Sequence, residues 1–364
     1  MRHARHAALL GLLLVAAPSS AQPGPKTGPV LEVVKAFDDF RTLGLAVSRQ
    51  GRIFASAPSA STGVSVVEVN PRSGAVTPYP DAAWNDAKSS GPHWRSAQAM
   101  TVDTADRLWL LDNARPHAGL PPMPQKLVRV DLATNRVVRV YSLADVMGPA
   151  DTANDVVIDV ARNHAVITNQ SGKGSLIVLD LESGAARHVL VGDPSVVADP
   201  SRHLLLNGKP ALRTDGTYYS SHTNGIALSP DGQRVYFRPI NGVRYSRIRS
   251  ADLADASLTP AALSKRVEYL GDGVIGGGLA VDAKGRLFVG DLEHASIMMM
   301  TPGPGGKWRS VLFANQPDRL AWADGFAISQ GWLYISNSRL NESFFGNNLP
   351  RTGPFSILRV RLPD

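Results

Sequence analysis

The stretch Asn224-Gly-Ile-Ala-Leu-Ser-Pro-Asp-Gly-Gln-Arg-Val-Tyr236 decides how the rest of the chain is read. Two β-rich runs flank a polar turn at Pro230-Asp231-Gly232, and that is the form of a β-hairpin. The first run is apolar almost throughout, as a strand buried on both faces should be. The same form recurs from Leu43, Gln98, Asn154, Gly277 and Asp324. Successive starts of the six segments lie 55, 56, 70, 53 and 47 residues apart. Self-similarity at this spacing is the mark of a repeat architecture.

More strands follow each hairpin. Val64 to Asn70 runs into a turn at Pro71-Arg72-Ser73-Gly74, Lys126 to Asp131 turns at Ala133-Thr134-Asn135, and Ser175 to Asp180 turns at Glu182-Ser183-Gly184. Two hairpins per repeat make four strands, one blade of a propeller. The expectation is an all-β, six-bladed β-propeller. A β-sandwich would not need six hairpins of one pattern. The sixth repeat has one later strand, Phe355 to Leu362, and lacks a fourth. Leu31 to Phe37 is strand-like and belongs to no other blade, so it is expected to complete the sixth and remove an open sheet edge.

The N-terminus reads differently. Arg2 and Arg5 precede an apolar run from Ala7 to Ala17, and Ser19-Ser20-Ala21 follows with small residues. Residues 1–21 are expected to be a secretory signal, too short in its apolar run to span a bilayer, and 22–364 one propeller domain. The protein is then periplasmic or extracellular. Gln22 to Pro29 is Pro- and Gly-rich and expected to be loose. No other segment approaches the length of a membrane span. The chain has no Cys, which excludes disulfides and thiolate chemistry. Its net charge of +7 is scattered, densest at Arg244, Arg247 and Arg249, with no basic block interleaved with aromatics, so nucleic acid is not an expected partner.

In a propeller the first strand of every blade lines the axis. The residues opening those strands, Leu43, Gln98, Asn154, Asn224, Gly277 and Asp324, should therefore converge at one mouth of the channel. The second strands run antiparallel and end on the same face, at Ser56, Asp112-Asn113, Asn169, Arg238, Asp291 and Asn337. Convergent polar groups in a concavity make a binding site for a small molecule. Candidate ligand contacts are Gln98, Asn154, Asn224, Asp324, Asp112, Asn169, Asp291 and Asn337, with Asp324 as base or counter-charge. Asn154, Asn224 and Asp324 are hard oxygen donors and candidate ligands of Ca²⁺ or another divalent cation. The alternative is that such Asn and Asp residues cap turns with their own backbone. His93, His222 and His294 fall in loops with no triad order. Gly276-Gly277-Gly278 precedes no helix and is not a phosphate loop. Met298-Met299-Met300 is expected in the core.

At Ser96-Ala97-Gln98 through Leu110-Leu111-Asp112, Pro124 to Val140, Asn154-Asp155 to Asp159, Asn224-Gly225 to Asp231-Gly232, Gly285 to Glu293 and Ser336 to Asn341, the chain resembles the Yellow and major royal jelly protein family. The resemblance implies a secreted six-bladed propeller. Insect members are linked with dopachrome conversion and with binding of biogenic amines. The family shares no single catalytic motif, so the resemblance implies a fold more firmly than a reaction. A more distant likeness is to gluconolactonase-like propellers, which hold a divalent cation on a Glu, Asn and Asp ring. Asn154 and Asn224 match their Asn positions, whereas Leu43 and Gly277 stand where acids are expected. Three functions follow: a binder or isomerase of a small aromatic or amine-bearing molecule, a metal-dependent lactonase or esterase, and an interaction scaffold. If the signal is real, the product exported by its own host begins at or near Gln22 by intact mass; a cytosolic product retaining Met1 overturns it.

Overall fold

The computed structural model describes residues 27–58, 63–117 and 119–364. The expected signal lies outside them. Six four-stranded antiparallel sheets surround one axis. The inner strands, in chain order, are Leu45–Val47, Ala97–Val102, Ala153–Asp159, Thr223–Leu228, Gly276–Val281 and Ala323–Ser329. We number the blades one to six in that order. Five blades run outward through consecutive strands. The sixth draws its outermost strand, Glu32–Phe37, from the other end of the chain, paired with Phe355–Arg361 from Glu32 opposite Arg359 to Phe37 opposite Phe355. The closure expected from the incomplete last repeat is the one observed.

Burial falls from the axis outward, as the sequence pattern requires. Leu45–Val47 is wholly buried, while the outer strand Val76–Pro78 of the same blade is exposed. The outer strand Arg136–Ser142 of blade two alternates exposed with half-buried residues over most of its length. The cores lie between blades. Trp109, Leu111 and Leu127 of blade two pack on Val156, Ile158 and Ile177 of blade three. Blade six meets blade one where Tyr334 and Ile357 pack on Leu45, Ile53 and Val67, with Phe37 and Phe40 completing the contact. Each fully buried Leu, Ile or Val adds about 1.5–3 kcal/mol of transfer free energy. Met300 is wholly buried in the core of blades four and five, and Met298 and Met299 are packed against cores on either side.

Two features depart from a regular array of strands. Short helices, Ser250–Ala254 and Pro260–Ser264, join the outer strands of blade four. Thr259 caps the second by accepting from Ala262 N, and Pro260 occupies its first turn. The long interval between the third and fourth repeats is filled by residues 190–222, which carry a small hairpin of Leu205–Leu206 and Lys209–Pro210. This insert crosses the face where the inner strands begin. It is stitched to the 338–354 loop of blade six: Gly346 N donates to Leu212 O at 2.7 Å and Leu212 N to Asn347 Oδ1 at 2.8 Å. Leu204, Leu206, Ala211, Trp322 and Phe345 share an apolar cluster beneath the seam. Among the described residues no helix is long and apolar enough to cross a membrane.

The ring depends on its closing strand. Removing residues 30–38 is expected to abolish the cooperative thermal transition or drive aggregation, because the strand Phe355–Arg361 becomes an open edge. Leu31→Ala, at a position wholly buried between blades five and six, is expected to cost about 2–4 kcal/mol in denaturant unfolding. A deletion variant with unchanged melting would overturn the closure.

Candidate functional site

The inner strands do not enter the axis as simple pleats. In blades two to six the ladder between first and second strands shifts register at the opening residues, between Ala97 and Ala99, Ala153 and Val156, Thr223 and Gly225, Gly276 and Leu279, and Ala323 and Phe326. Such bulges re-aim side chains. In blade three both Asn154 and its neighbour Asp155 line the axial channel. Strict alternation would have turned one of them away, which is why the sequence reading passed over Asp155.

Crowding explains the gap in the ring at blade five. A Cβ on Gly277 would stand 2.1 Å from the Ala323 carbonyl oxygen, and one on Gly278 2.0 Å from that of Asp324. Backbone fills the place where an acidic side chain was sought.

The remaining ring residues meet as expected from their positions. Gln98 Nε2 donates to Asn154 Oδ1 at 3.2 Å, and Asn113 Nδ2 donates to Gln98 Oε1 at 3.0 Å. Asn154 Nδ2 reaches Asn224 O at 3.4 Å, and Asn224 Nδ2 donates to Gln170 Oε1 at 3.2 Å. Asp324 Oδ2 accepts from Ser338 Oγ at 3.0 Å. This layer divides the axis. Below it runs a channel of about 430 Å³ reaching the hairpin-turn face at Asp103, Ser229 and Asp282. Above it a chamber of only about 50 Å³ is enclosed by Arg41, Arg115, Tyr219, Trp322, Phe344 and Phe345. Arg115, Gln170, Tyr219 and Phe344 also line a groove of about 740 Å³ over blades two and three, so groove and chamber adjoin.

Two carboxylic acids stand at the axis. Both touch its water-sized spaces yet lie deep inside protein. Burial pushes Asp155 up to about 7, the negative charge of Asp324 adding to the effect. Burial likewise pushes Asp324 up to about 6, against the hydrogen bond from Ser338 and the charge of Arg238. Arg238 is wholly buried. Its Nη2 donates to Gly277 O and its Nη1 to Pro239 O at 3.0 Å, while Nε has no partner. Burial lowers its pKa.

Asp112, Asn169, Asp291 and Asn337 have other work. Asp112 accepts from the backbone N–H groups of Arg95, Ser96 and Ala114 and from Lys126 Nζ, at 2.8–2.9 Å. Asn169 Oδ1 accepts from Thr152 N at 3.0 Å, and Asn337 Oδ1 from Ala321 N and Trp322 N at 3.0 and 3.1 Å. Asp291 accepts from Glu293 N and His294 N at 3.1 and 3.2 Å. They clamp backbone beside the inner strands, and none of the four lines the chamber. The capping considered for the first-strand residues is found at the second-strand ends. His222 Nδ1 accepts from Ala198 N at 2.9 Å, and the Nδ1 atoms of His93 and His294 face Gly91 O and the Asp291 carboxylate.

The donor set does not fit a divalent cation. Asn154 Oδ1 is already taken by Gln98. The positive charges of Arg238 and Arg41 both act on Asp324, the one charged oxygen donor of the three candidates. Among the described residues no three His, Cys, Asp or Glu side chains cluster as metal ligands.

A family profile described as major royal jelly protein matches residues 95–364. The chain belongs to that family. Major royal jelly protein 3 of Apis mellifera is 26% identical over 174 residues, covering 45% of this chain and 30% of the relative. Major royal jelly protein 1 of the same insect is 26% identical over 186 residues, covering 45% and 39%. The aligned parts thus span less than half the length of those relatives. Among solved structures, a gluconolactonase from Xanthomonas campestris aligns with 94% of this chain and 99% of its own at a TM-score of 0.54 and 15% identity. A luciferin-regenerating enzyme aligns with 92% and 96%, at a TM-score of 0.56 and 13% identity. These likenesses establish the propeller fold. The match to the major royal jelly protein family begins where the approach to blade two starts, so it takes in five of the six ring residues, Gln98, Asn154, Asn224, Gly277 and Asp324. Leu43 and Arg41 lie before it.

The raised acids predict a pH signature. A carboxyl group whose folded pKa exceeds its unfolded value binds more protons folded, so its effect on stability worsens as pH rises from about 4 to about 7. Asp155→Asn is expected to leave the melting temperature near wild type at the acid end and raise it relative to wild type at neutral pH. A difference independent of pH would mean that Asp155 titrates normally.

Proposed function

We propose that this protein binds a small aromatic organic molecule on its roofed axial face. The ring of the molecule lies in the groove over blades two and three, and its polar end enters the chamber above Gln98, Asn154 and Asn224. The observation that carries this reading is that a groove of mixed apolar and polar lining and a chamber above the ring amides share one wall, Arg115, Gln170, Tyr219 and Phe344. The groove offers Met123, Met147 and Phe344 to an apolar body, and the ring offers amides to a head that needs orienting. Asp324 stands at the chamber with its pKa near neutrality. That is the protonation balance a general acid–base group needs, so the same site supports proton transfer on a bound ligand, a step that calls for no metal or redox partner. The basic, apolar and small residues of 1–21 support export as the setting for this activity.

The test uses a neutral aromatic amide, 4-hydroxyphenylacetamide, as probe. It is expected to bind in calorimetry and to raise the melting temperature. Asn224→Ala is expected to weaken it about fivefold, the value of one lost hydrogen bond of about 1 kcal/mol, and to change the melting temperature of the free protein little. Stability lost with affinity kept would make Asn224 a structural residue and end this reading of the ring.

A further inference from the structure

Two cations, Arg41 and Arg115, face the chamber that Asp324 also lines. Arg41 lies between the closing strand and blade one, and its Nη1 donates to Ser343 O and Oγ at 3.1 and 3.2 Å. Arg115 follows the second strand of blade two. It is half-buried, with its guanidinium 5.8 Å from the centre of the Phe344 ring, and it donates no hydrogen bond to any described residue. Neither arginine forms an ion pair among the described residues. Burial lowers the pKa of both, and the charge of Arg115 lowers that of Arg41 further, against a smaller opposing effect of Asp324, so the two cations repel each other and Asp324 offsets that only in part. Guanidinium groups withdrawn from water and set side by side cost stability unless an anion completes them. Asp324 is the only acid lining the chamber, against two arginines.

Size points the same way. About 50 Å³ is the room of one or two water molecules. A carboxylate fits there and an aromatic ring does not. The ring has the groove next door, and Arg115 stands on the boundary. Planar guanidinium groups hold carboxylates through paired N–H donors.

We propose that the chamber is a carboxylate site: Arg115 and Arg41 together take the carboxylate of a small aromatic acid whose ring occupies the adjoining groove. This rests on the groove-and-chamber reading above and names the ligand class. It also separates this chain from a binder of amines, whose cationic head the two arginines would repel.

The experiment compares three probes that share one ring: 4-hydroxyphenylacetate, 4-hydroxyphenylacetamide and tyramine, which are anionic, neutral and cationic. Wild-type protein is expected to bind the acid about tenfold or more tighter than the amide, and tyramine weakest, from charge-assisted hydrogen bonds to the head. Arg115→Gln is expected to bring acid and amide within about twofold of each other by weakening the acid more than the amide, and Arg115→Lys to keep part of the preference. Without ligand, Arg115→Gln is expected to melt at or above the wild-type temperature, since it relieves an uncompensated cation. If wild type binds the amide and the acid equally, the carboxylate site is wrong while the groove reading stands. If none of the three binds, the groove reading fails and the carboxylate site falls with it. If Arg115→Gln melts several degrees lower and keeps the preference for acid, Arg115 is a strut for Phe344 and the proposal is overturned.

Discussion

Six strands brought to one axis leave almost no room, and this crowding governs the site. Where two inner strands come closest, only backbone fits: Gly277 and Gly278 lie against the carbonyls of Ala323 and Asp324. In blades two to six the strands also bulge at their first residues, which re-aims side chains there. The polar layer, the paired acids and the buried guanidinium of Arg238 all sit at this level.

The layer works as a partition. Gln98, Asn154 and Asn224 bond to one another and to the inner strands, so their amides are held before any ligand arrives. Asp155 faces the channel below, and Asp324 touches both spaces. An acid that borders two compartments can exchange its proton with one while it serves the other. The charge of Arg238 favours the ionised form of both acids from a position with no direct carboxylate contact, so it offsets only part of the effect of burial, which holds them near neutral pH.

Much of this was legible from the repeats. Aligning six hairpins by their turns places Gln98, Asn154, Asn224 and Asp324 at equivalent positions, and equivalence in a propeller means nearness. The missing fourth strand of the last repeat identified its partner at the other end of the chain. What the repeats could not carry was anything local to one blade. Asp155 is hidden by a bulge that breaks the alternation. Arg41, Arg115, Tyr219 and Phe344 sit on loops with no counterpart in other repeats. Asp112, Asn169, Asp291 and Asn337 share a repeat position, yet they hold backbone, since a strand end beside a crowded axis has N–H groups that must be satisfied. Equivalence in the repeat is therefore evidence of place and not of role.

The closing strand also sets an order of events. Glu32–Phe37 emerges among the first residues of the domain and pairs with Phe355–Arg361, among the last. No intermediate length of chain can complete the circle, because the partner does not yet exist. Each earlier blade can form its own hairpins as they appear, but the closing of the ring waits for Phe355–Arg361. The barrier to closure is thus crossed only once residues 355–361 are present, and the long separation of the two pairing segments makes that step slow. Until the later strand arrives, the ring keeps an open seam beside the strand Glu32–Phe37.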